Sequence, residues 1–259
     1  MACWWSSVSK GIGVSQLEGK VALITGASGA IGRAIAVKLA SQGAAIAGHY
    51  GSNLKGITET ARLVAAAGSE ARTFKADISD TAQIRAMFAG IDDTYGRLDI
   101  LINNAGVGIQ KRISEISEED YESAFAVNTK GYLFCMQEAA KRIGEGGRII
   151  NISSILAQLS RPGTALYAAT RASARVFARI GAQEFGAQGI TVNSISPGPV
   201  EPGMFQDASE AAKQHARAMS PFNRVGAPED IADIVAFLVS DQARWITGQD
   251  IVAAGGAVS

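Results

Sequence analysis

The feature that most constrains this chain is an alternation of short, nearly continuous apolar runs with helix-patterned segments. Runs at 21–24, 44–47, 72–76, 100–102, 148–152, 191–195 and 250–252 read as strands. A strand with one wet face alternates apolar and polar residues, whereas a strand covered on both faces is apolar throughout. Helical stretches lie between the runs at 57–67, 81–95, 118–142, 165–185 and 228–240. Before them, Ile31, Ile35 and Leu39 repeat every four residues, on one helix face. The alternation predicts an α/β fold, a doubly wound parallel sheet with helices on both sides, in three layers. No Pro- or Ser-rich linker and no internal repeat divides the chain, so 17–259 reads as a single domain behind a short tail at 1–16.

Composition narrows the partners. Twenty-four Lys and Arg balance 24 Asp and Glu. Such a neutral chain has no general field to draw in nucleic acid or an anionic membrane. No run reaches the ~18 apolar residues of a transmembrane helix. The tail, with Trp4 and Trp5, lacks the basic region and apolar run of a secretory signal. The two cysteines, Cys3 and Cys135, suggest neither a metal motif nor a disulfide framework, and His49 and His215 form no metal motif. These points predict a cytoplasmic protein with a small-molecule partner, no nucleic acid and no membrane.

The first strand runs directly into Thr25-Gly26-Ala27-Ser28-Gly29-Ala30-Ile31-Gly32, and a helix follows. Glycines there allow a tight turn and close approach of a diphosphate, and the helix N-terminus offers free N–H groups and a positive dipole end. In this strand–turn–helix context the cluster predicts a Rossmann-type dinucleotide cradle formed by Gly26, Ser28, Ile31 and Gly32. The second strand leads into Gly48-His49-Tyr50-Gly51-Ser52-Asn53. An acidic residue there would bind a ribose 2′-hydroxyl and repel a 2′-phosphate. Tyr50, Ser52, Asn53 and nearby Lys55 stand there instead, favouring NADP(H), and His49 reads as structural.

Polar groups also collect after later strands. Ser153-Ser154 closes the fifth strand, Tyr167 and Arg171 share a helix face, and Asn128 lies in the helical stretch after the fourth strand. Carbonyl reduction needs a hydride, a proton for the developing alkoxide and a donor to hold the oxygen. A phenol beside positive charge can give the proton, and a hydroxyl can hold the oxygen. Read alone, Tyr167 could equally be a core tyrosine, and Asn103 and Asn104 mere turn residues.

Together these motifs resemble the short-chain dehydrogenase/reductase family, over residues 17–256. The texture is similar to 3-oxoacyl-carrier-protein reductases and NADPH-dependent aldehyde reductases. The resemblance implies that Asn128, Ser154, Tyr167 and Arg171 form the catalytic tetrad. Ser154 would orient the substrate oxygen, Tyr167 would be the acid/base, and Asn128 would support a water-linked proton path. It also implies dinucleotide contacts from Asp77 and Ile78, from Asn104, Ala105 and Gly106, from Tyr167 and Arg171, and from Pro197, Gly198 and Val200. The segment 204–221 resembles a mobile substrate lid, and family members typically form homotetramers.

Four residues depart from the family pattern. Ala30 replaces Gly, Arg171 replaces Lys, Pro202 replaces a Thr that bonds the carboxamide, and Ala254 replaces Asp. Arg171 keeps the charge but cannot be deprotonated in a protein, which predicts reduced but measurable activity. The implied function is hydride transfer between NADPH and a ketone or aldehyde. Two alternatives stay open: an NAD(P)-dependent alcohol dehydrogenase, and a dinucleotide-binding protein with little turnover because Lys is replaced by Arg171.

Overall fold

The computed structural model describes residues 16–206 and 208–257. The predicted tail, Gln16 excepted, therefore lies outside the described residues, as does Cys3. Seven strands form one parallel sheet: β1 (Val21–Ile24), β2 (Ala45–Tyr50), β3 (Ala71–Lys75), β4 (Leu98–Asn103), β5 (Ile143–Ile152), β6 (Thr191–Pro197) and β7 (Asp250–Ala253), in the order β3-β2-β1-β4-β5-β6-β7. The strand order reverses between β1 and β4, and a ligand crevice opens at the carboxyl ends of strands that diverge in this way.

The period-2 geometry of β1 explains why all four of its residues are apolar. Ala22 and Ile24 pack in the cluster holding Ile35, Ile57 and Val235, while Val21 and Leu23 pack in the one holding Phe88, Cys135 and Ala178. The helices α1 (Ala30–Ser41), α2 (Leu54–Ala66) and α8 (Pro228–Val239) thus cover one face. The other face carries α3 (Thr81–Tyr95), α5 (Gly131–Ala140) and α6 (Ala165–Phe185). The arrangement is the expected three-layer doubly wound sheet. Continuous burial fails at both sheet edges, where β3 exposes Arg72, Thr73 and Lys75 and β7 exposes Val252, and at the start of β5, where residues 144–146 are exposed.

Three expectations are corrected. The helix predicted over 118–142 is α4 (Glu118–Phe125), a wide π turn (Ala126–Lys130) and then α5. The lid segment predicted without secondary structure contains α7 (Glu210–Met219), fastened at its middle by Lys213 Nζ to Glu201 Oε1 at 2.6 Å. Finally, β5 begins five residues earlier than predicted, because Gly144-Glu145-Gly146-Gly147 carries no apolar pattern. No helix among the described residues is long and apolar enough to cross a membrane.

Candidate active site

The turn after β1 and the turn after β4 are built against each other. Gly26 has φ +67, and a Cβ there would lie 2.8 Å from Ala105 Cα. A Cβ on Gly32 would overlap the Gly26 carbonyl oxygen and lie 2.8 Å from Asn104 Nδ2. Asn104 acts as the staple: its Nδ2 donates to the carbonyls of Thr25 (2.9 Å) and Gly26 (3.3 Å). Thr25 Oγ1 accepts from the backbone N–H of Asn104 (2.9 Å) and of Ala105 (3.1 Å). Helix α1 starts at Ala30 with no acidic residue in its first turn, so its N-terminal N–H groups face an uncontested anion position. The Ala30 methyl is accommodated as the first helical residue.

His49 supports this turn from behind. Its Nδ1 accepts from Gly26 N–H (3.1 Å) and its Nε2 faces the Ala76 carbonyl (3.0 Å), which selects the Nε2–H tautomer. Burial pushes its pKa below the ordinary value, against the raising effects of Ala76 and Asp77. The unfolded chain therefore binds a proton that the folded chain refuses. The contribution of His49 to stability is complete above the unfolded value of about 6.5 and declines as pH falls toward the lower folded value. Urea midpoints measured between pH 8 and 5 should fall on the acid side, and His49→Gln should flatten that slope. An unchanged slope would refute the account.

The adenosine end shows a division of labour that the sequence did not reveal. Asn53 caps α2: its Oδ1 accepts from Gly56 N (2.9 Å) and its Nδ2 donates to the Ser28 carbonyl (3.4 Å). Tyr50 is half-buried at the strand end, and Ser52 and Lys55 are exposed. Arg33, missed in the sequence, lies under the turn and donates to Ser28 O (3.2 Å), Gly56 O (3.4 Å) and Thr60 Oγ1 (3.2 Å). Its signal was a cation directly after Gly32. Asp77 Oδ1 accepts from Ser79 N (2.9 Å), and Ile78 is buried against Gly131.

On the other side of the crevice, the π turn places Asn128. Its Oδ1 accepts from Val107 N–H (2.9 Å), and its Nδ2 donates to Val107 O (2.9 Å) and Thr170 Oγ1 (3.0 Å). Asn128 thus ties the loop after β4 to α6. At the end of β5 the two serines separate. Ser153 Oγ donates to the Arg171 carbonyl (2.8 Å), anchoring α6, whereas Ser154 Oγ accepts from Leu156 N–H (3.2 Å). Beyond β6, Gly198 packs under Ala254, and Val200 forms a parallel bridge with Gly226.

Tyr167 is half-buried in the first turn of α6, and Arg171, one turn on, is only 3% exposed. Arg171 Nη1 donates to Tyr132 Oη (2.7 Å) and to the Ile152 carbonyl (3.1 Å). Its Cζ lies 5.1 Å from the Tyr167 ring centroid and 5.6 Å from that of Tyr132. Such cation–π contacts contribute about 0.5–2 kcal/mol each. A Cβ on Gly106 would overlap Arg171 Nη2 and sit 2.9 Å from Cζ, so the guanidinium crosses where only glycine leaves room. Burial works against this charge, but the Tyr132 and Tyr167 phenols outweigh it and raise the Arg171 pKa. Burial likewise raises Tyr132, against the opposing pull of Arg171. The pair is a charged guanidinium facing a neutral phenol.

Tyr132 and Thr170 were also missed in the sequence. An aromatic residue in an apolar helical stretch reads as core, and only the question of what accepts the N–H groups of a buried Arg could have singled it out.

A cradle that a Cβ would fill, at the switch point of a parallel sheet and beside a phenol with a buried cation, defines a dinucleotide-binding oxidoreductase of the Rossmann type. The family model described as "Enoyl-(Acyl carrier protein) reductase" matches residues 26–258. An uncharacterized oxidoreductase of Methylorubrum extorquens is 42% identical, over 94% of this chain and 99% of its own. A trihydroxynaphthalene reductase of Colletotrichum orbiculare is 35% identical, over 95% of this chain and 92% of its own. Among solved structures, the angucycline C-6 ketoreductase LanV with bound NADP is 37% identical with a TM-score of 0.89, covering 94% of this chain and 97% of that one. The chain belongs to the short-chain dehydrogenase/reductase family.

Proposed function

We propose that the protein is an NADP(H)-dependent carbonyl reductase acting on a ketone or aldehyde. The observation that carries this reading is the Arg171 guanidinium, buried between two phenols and aimed at Gly106, across the crevice from the glycine cradle. The reductase and NADP-bound ketoreductase relatives support it.

Each residue takes a role that its geometry allows. Gly26, Ser28, Ile31 and Gly32 would admit the diphosphate. Tyr50 and Ser52, with Lys55 and Arg33 nearby, would favour a 2′-phosphate where no carboxylate stands to repel it. Asp77, Ile78, Asn104, Ala105, Gly106, Pro197, Gly198 and Val200 would line the path between adenine and nicotinamide. When bound, NADPH supplies the hydride.

Ser154 would hold the carbonyl oxygen, and the Tyr167 hydroxyl would donate its proton as that oxygen gains negative charge. Arg171 would hold the cofactor ribose, with its positive charge beside the Tyr167 ring. Because Arg171 stays charged throughout, proton return to Tyr167 would come from solvent, through the Asn128 side of the crevice. We further read residues 17–259 as one cytoplasmic domain that assembles as a homotetramer. The exposed apolar side chains of Val176 and Ile180 on α6 support that assembly.

The test is a fluorescence titration of both reduced dinucleotides, followed by turnover on a panel of ketones and aldehydes. NADPH should bind about 10-fold more tightly than NADH, the value of one charge-assisted contact to the 2′-phosphate. Absence of binding by either dinucleotide would overturn the reading.

A further inference from the structure

We infer that Tyr132 is a positioning residue for Arg171: its hydroxyl fixes the guanidinium so that Nη2 is presented at Gly106 and beside Tyr167. The inference rests on the reading of this crevice as the NADP(H) site.

A guanidinium has five N–H donors in a rigid plane, and when buried it needs acceptors in that plane. Arg171 is buried, and the Tyr132 hydroxyl and the Ile152 carbonyl both accept from Nη1. Nε is buried with no partner among the described residues. One edge of the plane is therefore held by the protein. On the other, Nη2 points at Gly106, where a side chain of any size would collide with it.

Tyr132 is itself fixed. Its hydroxyl donates to the Ile152 carbonyl at 3.1 Å, and its ring is fully buried. That carbonyl, at the end of β5, thus accepts from both residues and closes a three-membered arrangement of Tyr132, Arg171 and Ile152. The Tyr132 hydroxyl donates in one direction and accepts in the other, so a phenylalanine would fill the same space without directing the cation. A lysine at 171 would carry no second nitrogen for Tyr132 to fix.

A double-mutant cycle of Tyr132→Phe and Arg171→Lys tests this, read both as NADPH dissociation constant and as kcat and KM for a carbonyl substrate. Tyr132→Phe alone should lower kcat ~10-fold, the value of a hydrogen bond to a charged group, and weaken NADPH binding measurably. In the Arg171→Lys background the same substitution should change either quantity by less than about 2-fold, the spread expected of independent sites. Carbonyl KM should stay within about 2-fold in every variant, because Tyr132 lies behind the cation rather than at the substrate.

Equal losses in both backgrounds would mean that Tyr132 only fills space, and would overturn the inference. So would an unaltered Tyr132→Phe protein. If the parent protein binds NADPH but turns nothing over, the affinity cycle still decides the coupling. If it binds no dinucleotide, the proposed function fails, and urea denaturation of the same four proteins decides the Tyr132–Arg171 pairing: additive losses of stability reject it and non-additive losses uphold it.

Discussion

Replacing Tyr167 by Phe should lower carbonyl turnover ~1,000-fold while leaving NADPH affinity within a few-fold of the parent, in the range for removal of a general acid. The substitution removes one oxygen and nothing else. The ring that lies 5.1 Å from the Arg171 guanidinium carbon remains, so the cation keeps its aromatic neighbour. Its bonds to Tyr132 and Ile152 do not involve Tyr167 at all. A loss of turnover with NADPH affinity retained therefore reports on the proton, whereas loss of both would report on the Arg171 contact that the hydroxyl also makes. Steady-state kinetics with matched NADPH titrations would show it. A Phe variant that kept more than about a tenth of the parent rate would require a different acid, given that general acids contribute at least ~100-fold.

Gly32→Ala should be the other large effect, and it should act on binding. In the interior of a helix Ala is normally favoured over Gly by about 1 kcal/mol, so propensity alone would stabilise the variant. Here the added carbon overlaps the Gly26 carbonyl oxygen and meets Ala27 Cα at 2.9 Å, both of them backbone atoms. Neither can rotate away as a side chain would. The first turn of α1 must retreat from the glycine turn, or the turn must open and strain the Asn104 staple. A shift of about 1 Å in a group that must present N–H donors to a diphosphate costs ~100-fold, here expected in NADPH affinity. Titration against the parent would check it, with circular dichroism to show that the helix content is unchanged.

How much of this was legible in the sequence follows from physical signals that were strong or absent at particular residues. The strands were legible because a doubly covered strand must be apolar, as Val21 through Ile24 are. The first half of β5 was not, because Gly144 to Gly147 form an irregular stretch, with Gly146 at φ +75 and a register shift against β4, that no apolar pattern marks. Helix α7 escaped notice because small alanines and polar residues make up all of it but Met219, so no apolar stripe marks it, and Ala216 is its sole buried position. Among the site candidates, Asn128 Oδ1 and the Arg171 guanidinium both lie against Gly106, and that guanidinium faces the Tyr167 ring. What spacing could not show was prior engagement. Asn53 is occupied as a helix cap, Asn104 is occupied between two turns, and of the two adjacent serines Ser153 anchors α6. A polar residue in a motif announces its chemistry, but its partners come from segments far away in the chain.

The wide turn between α4 and α5 has one more consequence. Ala124, Asn128, Tyr132 and Met136 are all buried, and they recur every fourth residue, a slower beat than the 3.6 of an ordinary helix. Left uncorrected, that lag would swing the later members out toward water. A single expanded turn absorbs it and keeps the amide of Asn128 and the phenol of Tyr132 on the same flank, one above the other. The stretch behaves as a vernier: losing one residue from it would restore a regular spiral and rotate one of these two groups away from α6.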